Sequence, residues 1–190
     1  MHKNTFLTHF LLCPQKASTC RPLKDYPYKK AAVLIALVQR TNGLHIILTK
    51  RALHLRLHSG QVCFPGGKYE TADKSLQITA LRETFEEIGI KHNEIQILGQ
   101  LNKTYTLSGF EISPFIALVN NNYTLHIDAQ EVESVFELPL AFLLNANNLY
   151  SYAFIRYKKP YLSYCLHYQD KFIWGATAQI LKNLQQHLLT

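Results

Sequence analysis

A chain of 190 residues, 47% apolar and 17% charged, has the length of one domain and too apolar a composition for intrinsic disorder. Its formal charge of +7 is unevenly spread: residues 1–60 carry ten Lys and Arg against the single acid Asp25, and residues 61–190 carry ten against twelve. No apolar run approaches the roughly 18 residues of a membrane span, and Cys13, Cys20, Cys63 and Cys165, with no Cys-x-x-Cys among them, imply neither a zinc site nor a disulfide framework.

In chain order, Phe6-Leu7 and Phe10-Leu11-Leu12 superficially mimic a signal peptide. Thr8 and His9 break the apolar stretch and no small-residue cleavage site follows, so an amphipathic helix packed on the domain is expected, with reduced thiols and a cytoplasmic location. Pro14 to Pro27 reads as a polar connector with three prolines. Residues 1–29 thus form a helix and connector ahead of a core spanning about 30–180, all within one domain over 1–190. Ala31–Val38 is continuously apolar, a buried strand. Thr41-Asn42-Gly43 turns the chain into a second strand at Leu44–Thr49, and Arg51–Gly60 reads as a loop. A helix is expected from Ser75 to Ile88, then strands at Ile95–Leu101, Ile112–Val119 and Val132–Leu138, and a short helix from Pro139 to Leu144. Tyr150–Tyr157 and Tyr161–Tyr168 alternate as an aromatic hairpin, Gln169-Asp170 turns, and an amphipathic helix over 176–189 closes the chain. Strands flanked by helices before and after predict an α/β fold with a mixed sheet between helices.

The most informative segment is residues 82–90, Arg-Glu-Thr-Phe-Glu-Glu-Ile-Gly-Ile. At about 100° per residue, Glu83 and Glu87 fall about 40° apart, with Glu86 about 60° to the other side of Glu83. Ile78, Leu81, Phe85 and Ile88 are expected on the opposite, packed half of the helix. Like charges at this spacing repel, whereas Mg²⁺ or Mn²⁺ turns them into ligands. Arg82 is placed to pair with Glu86, and Gly89 falls at a helix C-terminus. Gly66-Gly67 allows close backbone approach.

This segment resembles the Nudix box: Gly, five residues, Glu, seven residues, then Arg-Glu-U-x-Glu-Glu-x-Gly-U, with U aliphatic. Two positions depart. The upstream acid, expected eight residues before Arg82, is Lys74, with Asp73 or Glu70 able to take its structural role after a one-residue shift. Thr84 replaces an aliphatic residue. Ahead of the box, residues 47–67 run Ile-Leu-Thr-Lys-Arg-Ala-Leu-His-Leu-Arg-Leu-His-Ser-Gly-Gln-Val-Cys-Phe-Pro-Gly-Gly. This is similar to the signature of the coenzyme A pyrophosphatase branch, matching at Thr49, Arg51, Ala52, Arg56, Gly60, Phe64, Pro65, Gly66 and Gly67, and that branch also has the longer box loop.

The resemblance implies a Nudix-type α/β/α sandwich with a mixed β-sheet and metal-dependent hydrolysis of the coenzyme A diphosphate to 3′,5′-ADP and 4′-phosphopantetheine. It implies Glu83, Glu86 and Glu87 as catalytic and metal-ligating residues, with the Gly67 carbonyl as a further ligand of Mg²⁺ or Mn²⁺ and Arg82 as a positioning residue. Either Glu86 or Glu87 could take the proton of the attacking water. Family members also use an acid from a later loop, for which Glu131 and Glu133 are candidates. Arg51 and Arg56 are read as substrate-binding contacts for the phosphates, with pairing to the box acids as the alternative. His58 is expected to be a loop histidine. Trp174 and the tyrosines of 150–168 are expected to pack in the core, with adenine stacking as the alternative. The expected partner is a small molecule, coenzyme A or a related nucleotide diphosphate, without nucleic acid or membrane, and a homo-oligomer stays open. Other nucleoside diphosphate derivatives, ADP-ribose or a dinucleotide among them, are the alternative substrates, and a non-catalytic nucleotide sensor is the alternative function.

Overall fold

The computed structural model describes residues 1–15, 22, 26–156 and 159–189. Most of the Pro14–Pro27 connector, Cys20 and Tyr157 fall outside them. The expected strand at Ala31–Val38 is β1, Lys29–Arg40, and its hairpin partner β2 is Gly43–Arg51. Both exceed the apolar runs because the ladder between them continues to Arg40↔Gly43. β3 (Val62–Cys63) pairs with β2, and β4 (Gly66–Lys68) with β1. After helix α2 (Leu76–Ile88) come β5 (Ile95–Gln100), β6 (Thr104–Tyr105) and β7 (Phe110–Val119). β7 lies parallel to β1, from Lys29↔Phe110 to Val38↔Val119, and β8 (Val132–Pro139) returns antiparallel to β2. The result is a mixed eight-stranded sheet with the order β3-β2-β1-β7-β5, β4, β6 and β8 joining from the sides. Two-residue alternation divides the side chains of β1 between two cores. Ala32, Leu34, Ala36 and Val38 meet Ala80 and Ile88 of α2. Ile35 and Leu37 share the opposite core with helices α1 (Lys3–Leu12), α3 (Leu140–Leu144) and α4 (Gly175–Leu188). This is the expected α/β/α sandwich.

The N-terminal helix docks as expected. Phe6 and Phe10 are buried and stacked at 5.6 Å, and His187 of α4 meets Phe10 edge-on at 5.1 Å and its carbonyl at 3.0 Å. No described helix is long and apolar enough to cross a membrane. Cys13, Cys63 and Cys165 are free thiols.

The aromatic hairpin corrects one expectation. β9 (Tyr150–Arg156), β10 (Lys159–Tyr168) and β11 (Lys171–Trp174) form a separate three-stranded sheet. Leu166 and Ile173 face the core, and Tyr164 and Tyr168 pack against it as expected, but Tyr152 (64% exposed), Tyr150 and Trp174 do not. The alternation places them on the outer face, because the inner face is filled by α4.

Candidate active site

Helix α2 is bounded by its own sequence. The Ser75 Oγ accepts the Ile78 N–H at 3.3 Å, satisfying a first-turn donor. Gly89 takes φ 77° and donates to the Phe85 carbonyl at 2.8 Å, a left-handed C-terminal stop that glycine adopts without steric cost. The packed face meets the expectation at Leu81 and Ile88, leaves Ile78 part-buried and departs from it at Phe85. Thr79, Ala80, Leu81, Thr84, Glu87 and Ile88 are buried, while Phe85 is 49% exposed, with its ring edge-on to His92. A helix lying over glycine and alanine positions of β4 and β1 turns its small and polar side to the sheet, and Phe85 is left at the rim.

The three glutamates are graded by depth. The Glu87 side chain is 2% exposed, Glu83 15% and Glu86 55%. Glu87 accepts the Gly66 N–H at 3.3 Å, and the nearest guanidinium nitrogen, Nη1 of Arg51, is 4.0 Å away. Burial, then the charge of Glu83, pushes the Glu87 carboxyl up to about 8. Burial also raises Glu83, against the pull of Arg82. The Gly-Gly pair makes this approach possible: a Cβ on Gly67 would overlap the carboxylate of Glu83, and one on Gly66, at φ 149°, would strike the backbone of Ala32 and Val33.

Arg82 organises the cluster. It meets Glu86 at 2.7 Å, as expected, and Glu83 at 3.1 Å, and it donates to the Lys68 carbonyl at 3.3 Å. Its strongest anchor is Asp73, met through Nε at 3.0 Å and Nη2 at 3.1 Å. Asp73 is buried, also takes the Thr79 hydroxyl (2.8 Å) and the Glu70 N–H (3.1 Å), and is held by Arg82 well below the usual carboxylate range. Of the two acids the sequence offered for this role, Asp73 fills it and Glu70 supplies only backbone. The signal was the extra loop residue, which moves the acid from position 74 to 73.

Among the described residues, no three His, Cys, Asp or Glu side chains gather as they would around a metal ion. In this arrangement Arg82 holds Glu86 toward solvent, and Glu83 and Glu87 form the inner pair. That inner pair nonetheless fits a hard cation. Two carboxylates are brought together with little water, Arg82 meeting Glu83 at 3.1 Å and Arg51 reaching Glu87 only at 4.0 Å, and divalent ions prefer such oxygen donors.

The signature loop is tied to the site at both ends. Arg51 and Gly60 bond across its neck (3.2 Å), Arg51 N–H donates to Gln61, and Ala52 N–H donates to the Glu131 carbonyl at 2.9 Å. Arg51 lies beside Glu87, whereas Arg56 is exposed on the loop and is not brought to the carboxylates. His58 bonds Gln61 at 2.8 Å, a loop histidine as expected. The later acids separate. Glu131 acts electrostatically on both Glu83 and Glu87, while Glu133 is drawn to Lys50 at 3.1 Å.

The sequence pattern of the NUDIX domain matches residues 28–155, which includes every group described above. The chain belongs to the Nudix family. It is 42% identical over 158 residues to a protein of Yersinia enterocolitica named "Uncharacterized Nudix hydrolase NudL", covering 83% of this chain and 80% of the relative. The Yersinia pestis protein of the same name is 39% identical over 160 residues, covering 84% and 80%. Among solved structures, a MutT/nudix family protein from Enterococcus faecalis superposes with a TM-score of 0.55 at 14% identity, covering all of this chain and 75% of the other. The NUDIX domain of Shewanella oneidensis NrtR, solved with ADP ribose, gives 0.54 at 18% identity, covering 90% and 94%. Both likenesses concern the fold. Within this Nudix hydrolase, Gly67→Ala is expected to cost about 1–3 kcal/mol by overpacking against Glu83, read as a melting temperature lower by several degrees.

Proposed function

We propose that the protein is a divalent-metal-dependent diphosphatase of coenzyme A or its derivatives, releasing 3′,5′-ADP and 4′-phosphopantetheine or its acylated form. The observation that carries this reading is Arg51, which the signature loop holds at the mouth of the carboxylate pair, 4.0 Å from Glu87. A guanidinium there can receive a phosphate oxygen as a fork and is held by a buried acid rather than consumed by an exposed one. Arg56, on the same loop, is free to follow the incoming substrate. Glu83, Glu87 and the Gly67 carbonyl would hold Mg²⁺ or Mn²⁺, with Glu86 joining once it leaves Arg82. When bound, the ion supplies charge neutralisation at the diphosphate oxygens and a more acidic water.

The chain's own residues do the rest. Arg82, anchored on Asp73, fixes the direction of Glu83 and holds Glu86 until the ion binds. Either Glu86 or Glu87 would take the proton of the attacking water; burial raises the proton affinity of Glu87, and a bound cation would lower it again. Glu131 faces the same pair and is the later-loop acid of choice over Glu133.

Mass spectrometry of products across coenzyme A, acyl-coenzyme A, ADP-ribose, dinucleotides and nucleoside triphosphates, with and without chelator, tests this. The expected result is phosphopantetheine and 3′,5′-ADP, abolished by chelator, with the highest kcat/KM on the coenzyme A substrates. A clear preference for ADP-ribose or a dinucleotide would overturn it in favour of a different nucleoside diphosphate derivative, and ligand binding without turnover would favour a sensor.

A further inference from the structure

The excess of basic residues in the first third of the chain and a group of tyrosines at the start of β1 lie outside the roles assigned so far. One of those basic residues, Lys30, and the tyrosines lie on or beside the strand that carries Ala32 past the carboxylates. Lys30 and Ala32 share the face of β1 that meets α2, and Ala32 stands in register between Gly67 of β4 and Ser113 of β7. Gly67 is the residue packed on the Glu83 carboxylate. At about 3.3 Å per residue, Lys30 is roughly 7 Å and Tyr28 roughly 13 Å along the chain from that row.

Tyr28 turns its ring onto Tyr105 of β6, with centroids 5.0 Å apart and planes at 61°, and Tyr26 adds a third ring at 4.6 Å and 55°. The cluster reaches the surface: Tyr26 is 45% exposed, and Tyr28 and Tyr105 are part-buried. The register of Tyr105 with Glu111 sets it on the same face as Lys30, whose own neighbour in the parallel ladder is Glu111. Glu111 is held at 2.7 Å by Lys103, and among the described residues Lys30 has no ion-pair partner. The backbone of this patch is nonetheless pinned to the site. The Lys30 carbonyl accepts the Tyr69 N–H at 3.0 Å, and the preceding carbonyl, of Lys68, accepts from Arg82.

We propose that Tyr28, Tyr105 and Lys30 form the subsite for the nucleoside end of the substrate, the rings receiving an aromatic base and the Lys30 ammonium a phosphate monoester carried on the ribose. The proposal rests on the reading of the substrate as a nucleoside diphosphate derivative and adds which end of it lies where. Tyrosine faces stack on a base without demanding its identity, and a compact ammonium suits a terminal phosphate. The discriminating feature of such a substrate is then the extra phosphate.

Two measurements on wild type, Lys30→Ala and Tyr105→Ala test it, with thermal melts to establish folding. Isothermal titration with adenosine 3′,5′-bisphosphate and with AMP, in chelator, should show the bisphosphate binding wild type about tenfold tighter than it binds Lys30→Ala. AMP should bind those two proteins equally, and Tyr105→Ala should weaken both ligands. In turnover, Lys30→Ala should lower kcat/KM for coenzyme A about tenfold and leave dephospho-coenzyme A within about twofold. Equal bisphosphate affinities in wild type and Lys30→Ala, or an unchanged ratio between the two substrates, would overturn the proposal. Bisphosphate discrimination without coenzyme A turnover would instead sink the substrate reading and support the subsite.

Discussion

Glu87→Gln is expected to lower kcat by about three orders of magnitude while the protein stays folded, and to make the metal-free protein more stable at alkaline pH. Gln keeps an oxygen for the Gly66 N–H and fits the same volume, so the packing around a 2%-exposed side chain is preserved. It removes a carboxylate from the inner pair, and losses of this kind at groups acting in the transition state commonly exceed a hundredfold. The stability change follows from linkage. Burial and Glu83 raise the Glu87 carboxyl to about 8 in the folded protein, against about 4.5 unfolded. Below about pH 4.5 both states hold the proton and nothing is lost. Between about 4.5 and 8 the unfolded state ionises while the folded state resists, so wild-type stability declines through this window. At about 1.4 kcal/mol per pH unit, the difference between Glu87→Gln and wild type in chelator grows from near zero at pH 5 to at most about 4 kcal/mol at pH 8. Melting curves across that range check it, and added Mn²⁺ should raise the wild-type melting temperature at pH 8 far more than that of the variant. Equal pH profiles for the two proteins would refute the assignment of Glu87 as a charge held without compensation.

Asp73→Asn should have the largest effect on stability of any change outside the two cores. The substitution leaves Arg82, which is three-quarters buried, without its firmest acceptor, and removal of one member of a largely buried pair costs about 3–5 kcal/mol. The contact to Glu86 persists, so about 2–4 kcal/mol is expected. Activity should drop at least tenfold as well, because Arg82 orients Glu83 and Glu86 from this anchor. Here the pH sign is opposite to that of Glu87. Arg82 holds the Asp73 carboxyl well below its ordinary value, so the stabilisation is full above the unfolded value near 4 and is lost progressively as pH falls from there through the folded value. Chemical denaturation of wild type and variant should give the full gap at pH 7 and a gap that starts to shrink only below about pH 4, most of it persisting at pH 3. Glu70→Gln, by contrast, should be close to neutral, since only the backbone of residue 70 meets Asp73.

The strands β1, β2, β5, β7 and β8 and the helix α2 were legible because hydrophobic period and caps agree: Ser75 and Gly89 bracket α2, and the apolar run at 31–38 is long enough to be buried on both faces. β4 was not, since Gly66-Gly67 carries no strand propensity and pairs only because the neighbouring backbone of β1 is within reach. Phe85 was misassigned because a hydrophobic face was inferred from residue type, whereas the sheet beneath α2 offers glycine and alanine and accepts Thr84 and Glu87 instead. The acids were legible as a group, but their gradation in depth was not, since it depends on where the helix axis lies over β4. Asp73 was visible only as one of two alternatives, and choosing it required the path of a loop.

The parallel ladder between β1 and β7 joins residues about eighty positions apart, and α2 with all its carboxylates lies in the stretch it encloses. Closing so long a stretch is entropically slow and is repaid only when many pairs have zipped. On a ribosome, the sheet beneath α2 therefore stays incomplete until the strand from Phe110 to Val119 has emerged. The platform on which the carboxylate-bearing helix rests is in this way finished last.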